Sequence, residues 1–362
     1  MSQNLRLLWF NLMTDADAPV QGFATDWINA VAKRCTAVDV ITMQAGRIAV
    51  ADNVRVFSVG KEKGYNEARR AFEFYRLLNR LLHENTYDAC FAHIQSLFAV
   101  MGAPLLRPRG IPITLWYAHK AVTPRLRLAE KLVDHIVTAS PESFRIDSPK
   151  VQVIGHGIDT GRFTPQNAAQ DPFTIISVSR IAPIKRLETI IEAASMLKQD
   201  GCDFRLRIIG NTNPQDQAYA TELKALAAAY NLTSVVEFTG EIPHHAIVPV
   251  YQQAHLMVNI SNTGAVDKAV LEAMACGLPV ITANEAFQPI LADWRDHLLV
   301  PAEAPDMLAN KILNIMNMLP ETRQALGRSL RRIVVHDHSL DHLADTLVRL
   351  FGDGQTAAKE KS

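Results

Sequence analysis

The chain has 362 residues, 48% hydrophobic and 20% charged, with 37 Lys and Arg against 37 Asp and Glu. This is the composition of a soluble globular protein of about two domains, and zero net charge argues against a dedicated nucleic-acid binder. The balance conceals an asymmetry: residues 1–150 hold 19 Lys and Arg against 14 Asp and Glu, residues 151–362 hold 18 against 23, so the first half is the one expected to meet an anionic surface or acceptor.

Short β-rich runs alternate with longer helical patterns. Strands are predicted at 5–10, 38–42, 54–59, 89–92, 113–117, 135–139 and 151–154, with helices at 23–34, 66–83 and 126–132. The run at 5–10 is too short for a signal peptide and reads as the first strand. The polar stretch 164–172 reads as a linker. After it come strands at 173–178, 205–209, 235–238, 256–260 and 279–283, and helices at 187–199, 218–230 and 268–275. A last helix is expected at 340–351 and a disordered polar tail at 352–362. Such alternation predicts two α/β units with mostly parallel sheets, whose ligands bind beyond the strands' carboxyl ends. Two such sheets facing each other would leave a cleft between them. No apolar run is long enough for a membrane-spanning helix. Cys35, Cys90, Cys202 and Cys276 form no CxxC pair, which fits reduced cytoplasmic thiols and no metal site.

Two segments carry chemistry. In Val178-Ser-Arg-Ile-Ala-Pro-Ile-Lys-Arg186, Arg180 and Lys185 flank a turn between a strand and a helix. A planar guanidinium fork and an ammonium point charge there suit a diphosphate; ordinary surface cations are the alternative. The second segment, residues 259–282, reads strand, small polar loop, helix, Gly277 stop, strand. Asp267 is the expected N-cap of its helix. The helix N-terminus makes an anion site, and Glu272, one turn in, is placed to accept two ribose hydroxyls or else is an exposed helix residue.

Together these segments resemble the retaining family 4 (group 1) glycosyltransferases of the GT-B fold. The family's Gly-Arg-Leu and Pro-x-Lys-Gly correspond to Ser179-Arg180-Ile181 and Pro183-Ile184-Lys185-Arg186, and its Leu-Glu-Ala-Met-Ala-Cys-Gly-x-Pro-Val-Ile ending stands at residues 271–281. Val153-Ile-Gly-His-Gly-Ile-Asp159 with Phe163, Ile209-Gly210 and Val236-Glu-Phe-Thr-Gly240 match in the family's order. The resemblance implies two facing Rossmann-like domains with a cleft between them. Residues 1–163 would bind the acceptor and 164–338 the nucleotide sugar, with a helix at 339–351 returning to the first domain. It implies Arg180 and Lys185 on the donor diphosphate, Glu272 on the ribose, backbone from Gly240 to Ile242 near the base, and the loop from Thr263 to Lys268 against phosphates and sugar. One departure stands out. The family's first acidic residue, eight positions before Glu272, is Gly264, and Asp267 and Lys268 follow it; Asp267 is the candidate replacement on the sugar.

In the first half, His119 stands where the family places a histidine near the transferred sugar, and Gly22 where it has a cleft-lining glycine. His93 is read as structural, and Asp15-Ala-Asp17 as loop polarity rather than a metal motif. The implied reaction is metal-independent transfer, with retention, from a UDP- or GDP-linked sugar to a glycan or lipid-linked acceptor of polysaccharide or glycolipid biosynthesis. No other cofactor and no nucleic acid is implied. A basic helical stretch at 61–80, whose helix is expected to carry Phe72, Tyr75, Leu78 and Leu82 near one side, suggests, with Arg107, Arg109, Arg125 and Arg127, peripheral contact with an anionic membrane from the cytoplasmic side; a helix packing that apolar stripe on the sheet is the alternative. A sugar-nucleotide epimerase of the same fold and a catalytically impaired binding or scaffold protein are the alternatives.

Overall fold

The computed structural model describes residues 5–18, 22–119, 121–166, 171–261 and 264–359. The chain divides into two units, Met1–Gly157 with His338–Ser362, and Ile158–Asp337.

Unit 1 runs β1 (Arg6–Thr14), α1 (Phe23–Ala32), β2 (Ala37–Ala45), β3 (Val54–Ser58), α2 (Glu67–Glu84), β4 (Ala89–His93), α3 (Ser96–Leu106), β5 (Ile113–Trp116), α4 (Pro124–Leu132), β6 (His135–Thr138) and β7 (Val151–Val153). All seven strands are parallel, in the order β3-β2-β1-β4-β5-β6-β7. A parallel sheet covered on both faces needs strands that are apolar throughout, and β1 shows why. Its side chains alternate sides, so Leu7 and Trp9 join a cluster with Trp27 and Ile28 of α1, while Leu8 and Phe10 join Phe74 of α2 and Phe98 of α3.

The second face of that sheet is completed from the far end of the chain. A final helix, α13 (Leu340–Lys359), places Leu343, Leu347 and Phe351 in the α1 cluster. Arg34 ties it down through Asp341 (2.9 Å) and Asp345 (2.6 Å). The helix continues to Lys359, into the stretch expected to be disordered.

The face of α2 differs from the expected one. Phe72, Tyr75, Leu78 and Leu82 were the anticipated apolar stripe. The buried stripe is Phe74, Leu77, Leu78 and Leu81, because these repeat at i, i+3, i+4 and i+7 and Phe74 meets the rings of Phe98 (4.6 Å) and Phe10 (5.3 Å). Phe72 and Tyr75 are left 65% and 42% exposed.

Unit 2 contains β8 (Phe173–Val178), α5 (Leu187–Gln199), β9 (Phe204–Ile209), α6 (Gln217–Ala229), β10 (Val236–Gly240), α7 (Val248–Gln252), β11 (Leu256–Asn259), α8 (Lys268–Ala275) and β12 (Val280–Thr282). The short helices α9 (Gln288–Leu291) and α10 (Arg295–Leu298), then α11 (Pro305–Met316) and α12 (Pro320–Asp337), complete it. Its five strands are parallel in the order β10-β9-β8-β11-β12. α11 packs on α5 and α12 on α8. Among the described residues no helix is long and apolar enough to cross a membrane.

The cores make a direct prediction about the thiols. Burial pushes Cys35 and Cys276 up to about 12 and raises Cys90 well above its ordinary value; Cys202 is raised as well, but it is only half-buried and so remains accessible. A thiol reacts as its thiolate. Alkylation of the native protein at pH 8, followed by peptide mass spectrometry, should therefore mark Cys202 well before the other three; even labelling would contradict this packing.

Candidate active site

In unit 2 the strand order reverses between β8 and β11, so the connections leaving these neighbours run to opposite sides and open a crevice at their carboxyl ends. The loops there are stitched by backbone bonds. Ser179 N donates to Ile209 O (3.0 Å), Ile181 N to Asn211 O (2.8 Å) and Gly210 N to Gly240 O (2.9 Å). Gly210 has φ +152°, and a Cβ there would lie 1.7 Å from Ser179 O. Only glycine allows β8 and β9 to converge this closely.

Arg180 is exposed immediately beyond β8. Lys185 ends a 3-10 turn (Pro183–Lys185), and its Nζ lies 2.9 Å from Asp267 Oδ1, the two side chains only 12% and 18% exposed. Asp267 Oδ2 accepts from Ser261 Oγ (2.5 Å) and Asn284 Nδ2 (3.4 Å). Asn284 also donates to Ala265 O (2.6 Å), fixing the loop that follows Gly264. Asp267 does occupy the N-cap position of α8, but its side chain makes no capping bond. The expected N-cap position holds, but the carboxylate goes to an ammonium rather than to a helix amide, because a charge-assisted bond is stronger than one to a neutral amide. Arg186, where the resembled pattern has glycine, takes the left-handed conformation at φ 50°.

Glu272 is not an exposed helix residue. It is 5% exposed; Oε1 lies 3.0 Å from His244 Nε2, and Oε2 accepts from Tyr251 Oη (3.1 Å). Burial, reinforced by this carboxylate, holds the Tyr251 hydroxyl well above its ordinary value.

The segment that builds all of this, residues 161–332, matches the family model described as glycosyl transferases group 1. Unit 2 is thus the part of the chain that is similar to a group 1 glycosyltransferase domain. The chain is 32% identical over 197 residues to the protein named colanic acid biosynthesis glycosyltransferase WcaL of Escherichia coli K12, covering 52% of this chain and 47% of that one. It is 28% identical over 233 residues to the D-inositol 3-phosphate glycosyltransferase of Actinosynnema mirum, covering 60% and 55%. The chain thus spans about half the length of the curated relatives it matches. Among solved structures, sucrose-phosphate synthase from Thermosynechococcus elongatus superposes with TM-score 0.77 at 20% identity, covering 98% of this chain and all of that one. Anabaena HepE in complex with UDP gives 0.73 at 15%, covering 96% and 100%. These likenesses show the fold, the GT-B class with a parallel-sheet domain in each unit.

Around the switch point of unit 2 the structure gathers Lys185, Asp267 and Gly264, with Arg180 on the same loop as Lys185. Glu272 lies beside the loop that follows Gly240 and Ile242, reached through His244. Lys268 opens α8. Thr263 lies outside the described residues, as do Lys120 and residues 19–21. Gly22 and His119 belong to unit 1. Gly22 starts α1, and a Cβ there would be 2.8 Å from Ala18 O. His119 is exposed, its Nδ1 accepting from Ala121 N (3.0 Å). His93, 1% exposed, packs among Trp27 (4.8 Å), Trp9 (5.9 Å) and Phe91 (6.0 Å) as a core residue. Asp15 and Asp17 brace Arg47.

Arg162, His244, Tyr251, Ser261 and Asn284 were not anticipated. Ser261 and Asn284 each stand two residues beyond a strand's carboxyl end, the one signal that marks them. A cavity of about 480 Å³ lies elsewhere, beside His255 and Leu278 at the amino ends of β11 and β12.

Gly210→Ala tests the stitched edge. With its Cβ directed at a backbone oxygen, β8 and β9 must separate, and a loss of about 3 kcal/mol or more is expected, read as a lower urea midpoint. Unchanged stability would mean that the strand ends are not held so closely.

Proposed function

We propose that the protein is a retaining glycosyltransferase that takes its sugar from a UDP- or GDP-linked donor held by the group 1 domain. The observation that carries this reading is the pairing at the switch point: a largely buried ammonium beside a helix N-terminus, already matched by an anionic carboxylate. Cations and first-turn amides favour negative charge at such a place. In the proposed complex Arg180 and Lys185 take the diphosphate, Glu272 the ribose hydroxyls, and the backbone at Gly240 and Ile242 the base. Gly264 lets the loop come close to the sugar phosphate, and Lys268 adds positive charge. As the diphosphate takes Lys185, Asp267 is released to accept from a hydroxyl of the transferred sugar, in place of the carboxylate that Gly264 lacks. Gly22 and the exposed His119 are the residues of unit 1 assigned to substrate.

Breaking the anomeric bond leaves an oxocarbenium-like sugar and adds negative charge to the departing diphosphate. Side chains fixed before reaction stabilise that growing charge more than the ground state. Arg180 and Lys185 act there, and the leaving phosphate itself can take the acceptor's proton.

Arg180→Ala and Lys185→Ala should each lower donor affinity and turnover about tenfold to a hundredfold, as loss of a charge-assisted bond worth roughly 1.5–3 kcal/mol implies; the exposed Arg180 can be lost with the fold intact, whereas Lys185→Ala also lowers stability by leaving Asp267 unpaired. In the same assay, release of nucleoside diphosphate with glycoside formation should survive EDTA. Wild-type kinetics in both variants would remove the diphosphate assignment. A new sugar nucleotide would indicate an epimerase, and no turnover a scaffold.

The acceptor we propose is a glycan or a lipid-linked one, reached from a membrane surface. The exposed side of α2 presents Phe72 and Tyr75 among Arg69, Arg76 and Arg80. Arg107, Arg109, Arg125 and Arg127 are exposed near α3 and α4, which cover the same sheet face. Aromatic side chains among cations suit an anionic interface. Glu73 and Glu84 offset part of the charge. Flotation with anionic vesicles should carry the protein at low salt, weaken with salt, and fail for Phe72→Ser/Tyr75→Ser. Equal flotation on neutral vesicles, or none on anionic ones, would point to a soluble acceptor.

A further inference from the structure

Glu272 is one member of a longer chain of polar contacts inside unit 2. The chain starts at Asp159, whose Oδ1 accepts from the amides of Gly161 (3.1 Å) and Arg162 (3.0 Å) and so sets the turn that presents Arg162. The Arg162 guanidinium then holds His244 twice: Nη2 donates to its carbonyl, and Nη1 lies 3.4 Å from its Nδ1. A guanidinium can only donate. The ring nitrogen facing it is therefore the acceptor, which leaves the hydrogen of the neutral ring on Nε2. That hydrogen is directed at Glu272 Oε1, 3.0 Å away, while Tyr251 Oη holds Oε2. Phe163 packs beside both partners, its ring 5.8 Å from His244 and 6.1 Å from Tyr251.

We infer that Arg162 and His244 are positioning residues for nucleoside recognition, Arg162 selecting the tautomer of His244 and His244 aiming the Glu272 carboxylate. The inference rests on the reading of Glu272 as the ribose-binding group. An ionised carboxylate has about four acceptor sites. His244 and Tyr251 take one on each oxygen and leave one on each, the number two vicinal hydroxyls need. With only the Tyr251 bond the carboxylate can turn about its terminal torsion, a broad and weakly determined angle. His244 also belongs to the loop that follows Gly240, so a single ring ties the segment proposed to meet the base to the carboxylate proposed to meet the ribose. Second-layer partners of this kind hold a binding group in register without touching the ligand.

The test is binding of UDP and GDP by calorimetry, with donor kinetics and thermal melts, on Glu272→Gln, His244→Phe, His244→Gln, Arg162→Met and the double variant His244→Phe/Glu272→Gln. His244→Phe keeps the aromatic packing on Phe163 but has no hydrogen to give; His244→Gln keeps a donor. We expect His244→Phe and Arg162→Met to weaken nucleoside diphosphate binding about tenfold, raising the donor KM with kcat nearly unchanged and the melting temperature within a few degrees. His244→Gln should recover most of the loss. The double variant should bind no more weakly than Glu272→Gln alone, since contacting residues do not act additively. Weakened binding by Glu272→Gln beside unaffected His244→Phe, multiplied losses in the double variant, or no recovery in His244→Gln would each overturn the inference alone. Wild-type binding by Glu272→Gln would overturn the ribose reading, and this inference with it. Should His244→Phe fail to fold, Arg162→Met and His244→Gln carry the test.

Discussion

The ion pair between Lys185 and Asp267 is the contact on which the chemistry-bearing edge of unit 2 depends. It joins the loop after β8 to the loop after β11, the two connections that diverge at the sheet's reversal of order. The pair is largely screened from water, and its carboxylate is also held by Ser261 and Asn284. A buried pair with further hydrogen bonds is costly to break from one side, because the charge left behind has lost its solvent as well as its partner. The pair therefore both shapes the crevice and records its electrostatic character: positive charge from one loop and a helix N-terminus, matched by the Asp267 carboxylate.

The same logic of internal satisfaction runs through the neighbouring group. Glu272 lies on a helix whose other side chains, Val270, Leu271, Ala273 and Met274, are core residues. A carboxylate in that company must be hydrogen-bonded, and His244 and Tyr251 meet the requirement. The cost is rigidity, which is also what a binding group needs.

Unit 1 is organised by a different constraint. Its seven parallel strands must be covered on both faces, and among the described residues before 157 the helix that packs on the second face is α1. The shortfall is met by α13, which returns after the whole of unit 2 to pack beside α1. On the opposite face α2, α3 and α4 do the covering, and α2 turns Phe72 and Tyr75 outward. Exposed large apolar groups set among cations are a feature that folding alone does not require.

The strands of both units and the helices α1, α2, α4, α5, α6, α8 and the start of α13 were legible in the sequence because each is written locally; α3, α7 and α9 to α12 were not read from it. Apolar runs of strand length and helical periodicity, with a glycine stop as at Gly277, determine them without reference to the rest of the chain. The motifs around Arg180, Lys185 and residues 271–281 were legible for a related reason: a crevice at strand ends is built from short contiguous loops, so its residues stay close in sequence. Tertiary structure decided the rest. The buried face of α2 depended on which side chains meet Phe10 and Phe98, and the role of Asp267 on an ammonium 82 residues away. The linkage of Arg162 to His244 spans 82 residues and that of His244 to Glu272 spans 28. Such contacts leave no periodicity and no spacing rule in the chain, because they are chosen by the packing of whole elements, and only then does a single hydrogen bond become possible.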